Sequence, residues 1–294
     1  MRLLVIGLDP ATLDPSSRSS ARQIEYYRGY DVDIVVVAPG PRTSIQLTPT
    51  IRVQCAGGSS WFTALTRTTF LLFRLRWMNQ FDVLTVQDPL ACGLVGYLAI
   101  LGTKTRFHLQ DHSAYFSRSP KSFRDRIFGV WARFIARRAD RVRTVSQRGK
   151  RGLESIGIPS DKIDVVSVST DVSRFEKVVH TSSDHPRLLC VARLSYEKGV
   201  DVLLDAFRFV LDTQKNATLT IVGDGPERAI LERRAQSLNL GSSVIFAGHQ
   251  TNLETFFSDA DIYVQPSRFE GWGLAVIEAA ADGVPIVMTD VGCA

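Results

Sequence analysis

Apolar positions along this chain gather in short, β-branched runs, and the segments between them carry apolar residues at helical spacing; the alternation persists from end to end. Such a pattern predicts parallel strands covered by helices, the βαβ arrangement of α/β domains. In the first half the predicted strands are residues 3–8 (LLVIGL), 32–38 (VDIVVVA), 82–86 (DVLTV), 105–109 (TRFHL), 141–146 (RVRTVS) and 163–168 (IDVVSV). Among the helical segments between them, residues 123–134 place Phe123, Ile127, Val130, Trp131 and Phe134 on one face, with Arg124, Arg126, Arg133 and Arg137 turned elsewhere. The aromatic face is expected to cover a sheet.

From Glu176 to Pro186 the period disappears, the residues turn polar, and a proline closes off any helix. A linker there predicts a first domain over residues 1–178 and a second over 186–294. After it the alternation restarts, with strands at 187–194, 217–223, 243–248, 261–267 and 285–290 and helices at 199–212, 226–238, 251–258 and 273–282. Two doubly wound parallel-sheet domains facing a cleft are the expected architecture, and ligands of such sheets bind beyond the carboxyl ends of the strands.

Length and composition fit this picture: 294 residues, 45% hydrophobic and 22% charged, suit two globular domains rather than a disordered chain. Asp9 and Pro10 end the first apolar run too early for a secretory signal, and the longest uncharged stretch, Pro89 to Thr103, is shorter than the roughly 20 apolar residues of a membrane span. Cys55, Cys92, Cys190 and Cys293 have no paired spacing, so reduced thiols in a cytoplasmic protein are expected, with neither a zinc site nor disulfides. The net charge of +5 hides an asymmetry: residues 1–180 hold 26 Lys and Arg against 15 Asp and Glu, the remainder 9 against 15. In the basic half, Arg67, Arg74, Arg76, Arg124, Arg126, Arg133, Arg137 and Arg138 fall on helical segments rich in Phe and Trp. Peripheral, salt-sensitive attachment to an anionic membrane is one reading and a solvated basic face the other; no nucleic-acid-binding motif is present.

Candidate chemistry lies in two loops of the second domain. In residues 193–200 (RLSYEKGV), Arg193 and Lys198 follow a strand and Gly199 opens a helix. Two cations beside a helix N-terminus suit a diphosphate, Arg gripping bidentately and Lys as a point charge; two solvated surface charges are the plain alternative. In residues 268–285 (RFEGWGLAVIEAAADGVP), Glu270 follows a strand, and Gly271 and Gly273 let backbone approach a ligand. Glu278 lies within an apolar helix, where it needs a partner such as ribose hydroxyls unless it lies on a solvent-facing stripe.

Together these segments resemble the large retaining glycosyltransferase family numbered 4, of GT-B fold. Two glutamates spaced as Glu270 and Glu278 are its hallmark, here joined by EGWGL, VPIV, ARLSYEKG and IVGDGPER. The resemblance implies transfer of a sugar from a nucleotide-sugar donor to a glycan, lipid-linked or small-molecule acceptor, with no cofactor and no metal. It gives Arg193 and Lys198 the donor diphosphate and Glu278 the ribose. Glu270, with the backbone of Gly271, Trp272, Gly273 and Leu274, would hold the donor sugar. His112, in LQDHSAYF after a strand, is the histidine expected near that sugar, with His108 inside the strand as its rival. The first loop, GLDPATLDP, lacks the paired glycines of many relatives, and SVSTDVSRF stands where they have a Pro-Asn-Gly turn.

A nicotinamide-dependent oxidoreductase is excluded because Leu8-Asp9-Pro10 follows Gly7 in place of a glycine-rich turn. A nucleotide-sugar 2-epimerase of the same architecture and a noncatalytic partner subunit stay as alternatives. The chain stops four residues after PIVMTD, and relatives continue for further βα units, so the second domain is expected to be incomplete.

Overall fold

A computed structural model describes residues 1–113, 115–117, 123–168, 172–175 and 184–293, and it bears out the parallel α/β pattern. The chain divides into two compact units, Met1–Val166 and Ser167–Ala294. Most of the linker expected at 176–186 lies outside the described residues.

The first unit runs β1 (Arg2–Gly7), α1 (Arg18–Tyr26), β2 (Asp31–Val36), β3 (Thr43–Thr48), β4 (Ile51–Cys55), α2 (Trp61–Met78), β5 (Val83–Val86), α3 (Ala91–Ile100), β6 (Arg106–Asp111), α4 (Phe123–Arg138), β7 (Arg141–Thr144), α5 (Gln147–Ser155) and β8 (Ile163–Val165). Its sheet has the order β3-β4-β2-β1-β5-β6-β7-β8, parallel except where β3 runs antiparallel to β4. β1 is buried from Leu3 to Ile6 because apolar clusters cover both faces of the sheet. A parallel strand therefore reads as a continuous apolar run. The β3–β4 hairpin is not anticipated by the sequence pattern: β3 is an edge strand whose Ile45 and Leu47 are only partly buried among polar residues, with little of that apolar signature.

The second unit runs β9 (Arg187–Val191), α6 (Val200–Thr213), β10 (Thr218–Val222), α7 (Arg228–Ser237), β11 (Val244–Gly248), α8 (Glu254–Ser258), β12 (Ile262–Gln265), α9 (Leu274–Asp282) and β13 (Ile286–Met288). Its five strands are all parallel in the order β11-β10-β9-β12-β13, again with an apolar cluster on each face. The chain steps outward from β9 to β11 and returns to place β12 on the other side of β9. The winding direction reverses between β9 and β12, and at such a switch point the loops at the carboxyl strand ends diverge and leave room for a ligand.

One expectation is corrected. α4 forms, but it buries Ala132, Ile135 and Ala136, while Phe123, Ile127, Val130 and Trp131 are exposed and Phe134, at the edge of that face, packs edge-on against Tyr97 of α3. The helix packs beside α3 where Ile135 meets Gly93, whose missing side chain permits the approach, and most of the wider aromatic face is left over. Among the described residues no helix is long and apolar enough to cross a membrane.

The two faces of α4 predict opposite responses to truncation. Ile135→Ala, at a fully buried site, should cost about 2–5 kcal/mol. Phe123→Ala, at 77% exposure, should stay within about 0.5 kcal/mol of the parent in urea unfolding followed by circular dichroism. Comparable losses for both would show that the aromatic face is packed.

Candidate active site

The loops after β9 and β12 are held against each other by close backbone approach. Gly199 has φ 65°, and a Cβ there would stand 2.2 Å from the Pro266 carbonyl oxygen. Gly223, at φ 137° after β10, likewise has the Ala192 carbonyl where its Cβ would be, 1.9 Å away. Only glycine permits both the conformation and the contact. Arg268 then clamps the two loops. It donates to Asp201 at 2.6 and 2.7 Å and to the Tyr196 carbonyl at 2.9 Å, with its guanidinium 4.4 Å from the centre of the Tyr196 ring.

Within this frame Lys198 and Glu270 meet. Lys198 Nζ donates to Glu270 Oε1 at 2.5 Å, and the same oxygen accepts from Gln265 Nε2 at 2.6 Å and Ser267 Oγ at 2.9 Å. Tyr263 Oη donates to Gln265 Oε1 from behind. Glu270, Gln265, Ser267 and Tyr263 are all buried. Among the described residues no hydrogen bond reaches Glu270 Oε2, so the carboxylate is anchored through one oxygen and keeps the other for a further donor. Beside the pair lies Cys190, fully buried, whose thiol is pushed up to about 12 by burial, against the pull of Lys198. It is a neutral packing group.

The remaining residues singled out in the sequence spread around this pair. Arg193 lies just past β9, exposed, without an ion-pair partner among the described residues. Gly271 and Trp272 continue the loop from Glu270; the Trp272 carbonyl accepts from the Cys293 amide at 2.9 Å. Gly273, at φ 93°, opens α9 without a side-chain cap; the Val276 amide bonds back to the Gly273 carbonyl, which leaves the amides of Leu274 and Ala275 for an anion or hydroxyl, and Leu274 is exposed. Glu278 stands one turn further along α9. Its partner is Arg174, at 3.7 Å; Arg174 also reaches Glu254 at 3.3 Å and stacks on Phe175. Of the expected donor residues, the structure thus brings Lys198 directly onto Glu270, while Glu278 joins a separate ion pair.

In the first unit, His112 follows the carboxyl end of β6 and is exposed. Desolvation by its protein neighbours, then the charges of Arg143 and Arg22 and the nearby His108, push its pKa down to about 4, so the imidazole is neutral at pH 7. His108 lies within β6 with Nδ1 2.9 Å from the Thr85 hydroxyl, a satisfied histidine of the sheet.

Tyr263, Gln265, Ser267 and Arg174 escaped the sequence reading. A polar Gln265 inside a buried strand is a readable signal, because it needs a partner there. Nothing local to Arg174 points to Glu278, about a hundred residues away.

Residues 21–169 match the family model of the glycosyl transferase 4-like domain, and residues 172–294 match that of the glycosyl transferases group 1. The chain belongs to the group 1 glycosyltransferases. Over 176 residues the chain is 30% identical to the lipopolysaccharide core biosynthesis mannosyltransferase LpsB of Rhizobium meliloti, covering 55% of the chain and 48% of LpsB. It spans less than half the length of the curated relatives it matches. Its fold is that of sucrose-phosphate synthase from Thermosynechococcus elongatus, with TM-score 0.80, 22% identity and coverage of 99% of this chain and 82% of that one. Anabaena HepE, solved in complex with UDP and glucose, gives TM-score 0.72 at 17% identity, covering 100% of this chain and 82% of HepE. These likenesses establish the GT-B class of the fold.

The Arg174–Glu278 pair has a consequence for pH. Burial raises the Glu278 carboxyl above its ordinary 4.5, Arg174 opposes that rise, and Glu254 adds to it. A carboxyl with a higher pKa folded than unfolded favours folding below the unfolded value, and that contribution is lost as pH rises through the folded value. Arg174→Ala removes the opposing charge and moves the folded value higher still. The variant should therefore lose more stability at pH 7 than at pH 5, the gap widening by about 1 kcal/mol in urea unfolding. An equal loss at both pH values would show that Glu278 does not titrate against Arg174.

Proposed function

We propose that this chain carries the donor-binding and catalytic residues of a retaining glycosyltransferase, one that moves a sugar from a nucleoside-diphosphate sugar to a glycan, lipid-linked or small-molecule acceptor. The observation that carries this reading is the Lys198–Glu270 pair at the switch point between β9 and β12, in a chain of group 1 glycosyltransferase family. HepE, of the same fold, binds UDP and glucose, which supports a nucleotide-sugar donor.

In the proposal Lys198 and Arg193 neutralise the donor diphosphate, and the protein's own cations make a metal unnecessary. Glu278 accepts from the ribose hydroxyls, with Arg174 opposite its carboxylate as a loosely paired charge. Glu270 Oε2 and the amides from Gly271 to Leu274 orient the sugar beside Trp272. As the bond from the anomeric carbon to the diphosphate oxygen breaks, negative charge grows on phosphate and positive charge on the sugar ring. Fixed cations at the first and a fixed carboxylate at the second lower the barrier. The acceptor hydroxyl adds on the face the diphosphate leaves, passing its proton to a leaving-group oxygen, so the anomeric configuration is kept. From the first unit we assign His112, neutral at pH 7, a hydrogen-bonding part. We also read the protein as cytoplasmic and peripheral on an anionic membrane, where the exposed arginines and aromatic side chains of α2, with a lesser share from α4, support attachment.

Calorimetry with UDP and other nucleoside diphosphates tests the donor site. Lys198→Ala should weaken binding by about 1.5–3 kcal/mol, the scale of a hydrogen bond to a charged group, and EDTA should leave it unchanged. Glu270→Gln should spare nucleoside diphosphate affinity and slow sugar transfer by about 100-fold or more. Unaltered affinity in Lys198→Ala would overturn the assignment; epimerised nucleotide-sugar formed without acceptor would identify a 2-epimerase instead.

A further inference from the structure

Between Asp33 and Asp82 the chain holds Arg42, Arg52, Arg67, Arg74 and Arg76 and no acidic residue. The fold gathers three of these. Arg67, Phe70, Leu71 and Arg74 are spaced i, i+3, i+4 and i+7, which puts them on one face of α2. Arg42, the residue before β3, and Ala56, the residue after β4, complete a pocket of about 390 Å³ with them. Among the described residues none of the three guanidiniums has a hydrogen-bond or ion-pair partner. β4 is four positions from β6 in the sheet, roughly 19 Å at the usual strand spacing, so the pocket is distinct from the neighbourhood of His112.

Three unpaired guanidiniums around one pocket repel one another and would all be stabilised by an anion; their forked donors match phosphate oxygens bidentately. The rest of the lining tells which kind of phosphate fits. Phe70, in the pocket wall, is 76% exposed, and Trp77, two turns along the same stripe, is 89% exposed, with Met78 at 65% beside it. A water-soluble phosphate would leave these side chains in water. A phospholipid would cover them, because its phosphate lies at the boundary between water and acyl chains, where aromatic side chains are favoured.

We propose that the Arg42–Arg67–Arg74 pocket binds the headgroup phosphate of an anionic phospholipid, with Phe70 and Trp77 entering the headgroup and acyl boundary. This names the attachment point for the membrane reading given under the proposed function and rests on it, but it does not depend on the transfer reaction. The three arginines are exposed and make no hydrogen bond or ion pair among the described residues, so replacing them leaves the core of the unit intact.

Co-sedimentation of the full chain with vesicles tests the site. The parent should bind vesicles containing phosphatidylglycerol and bind pure phosphatidylcholine at least tenfold more weakly. Raising the salt from about 0.1 M to 1 M, which shortens the screening length from about 10 to 3 Å, should release it. The double variant Arg67→Glu, Arg74→Glu should lose at least tenfold in affinity for the anionic vesicles, and Phe70→Ser, Trp77→Ser should lose a comparable amount at low salt. The same charge change on α4, Arg126→Glu with Arg133→Glu, should cost less than threefold. Circular dichroism and nucleoside diphosphate binding confirm that each variant is folded. Full vesicle binding by the pocket variants, or equal losses from the α4 variants, overturns the site. So does saturation of the pocket by inorganic phosphate without vesicle binding, or self-association through the aromatic stripe in place of vesicle binding. If nucleoside diphosphates fail to bind the parent while vesicles do, the donor reading falls and this one stands.

Discussion

A carboxylate taken out of water has to be answered by charge and hydrogen bonds, and the answer given to Glu270 organises the second unit. Three donors converge on its Oε1: Lys198 from the loop after β9, and Gln265 and Ser267 from β12 and the loop that follows. Lys198 can be there only because β12 lies next to β9, which follows from the winding order of the sheet. The two loops can close on each other only because Gly199 presents no side chain to Pro266. Topology, backbone conformation and the ion pair are one constraint seen at three scales. Without the glycine the loops separate; without the lysine a buried negative charge is left to two neutral donors.

The first unit solves a different electrostatic problem. At His112, just past a strand end, desolvation first and nearby cations second keep the ring neutral rather than charged. Its sheet is otherwise served by polar groups that satisfy one another, as Thr85 does by bonding both His108 and Gln110. The strands answer much of their own charge in pairs, as Arg2 does with Asp31 and Asp33 and Arg141 with Asp164. Arg67 and Arg74 of α2 instead face water without an ion-pair partner among the described residues, and the buried residues of that helix fix where they stand.

How much of this could be read from sequence follows from where each signal resides. Strands such as β1 and β9 are legible because burial on both faces makes them continuous apolar runs. β3 is not, because an edge strand with one face in water needs no such run. α4 shows a further limit: helical spacing reveals that a face exists, but which face packs depends on what stands opposite. The seam of Ala132, Ile135 and Ala136 fits against its neighbours more closely than a row of aromatic rings would. The loops bearing Lys198 and Glu270 were legible as separate motifs, while their contact was not, since it depends on β9 and β12 being neighbours across 72 residues. Arg174 was illegible for the same reason in stronger form, as a lone charge whose two partners come from α8 and the middle of α9.

The ion pairs of the site also bear on how it could accept a charged ligand. Lys198 carries three donors and spends one on Glu270, so an incoming phosphate oxygen could be added to its contacts without breaking the pair. Glu270 would then be held by the same lysine that holds the phosphate, and a negative charge near the sugar would not repel the diphosphate as an isolated carboxylate would. Arg193, exposed and unpaired among the described residues, has its full charge available for the same ligand. Glu278 differs, for its guanidinium partner is shared with Glu254 and stands farther off, at 3.7 Å. A carboxylate so loosely paired can turn toward hydroxyl donors at small cost, whereas one gripped as Glu270 is keeps its direction. The arrangement therefore assigns rigidity to the glutamate whose orientation governs the chemistry of the proposed reaction and leaves latitude to the one that would only bind.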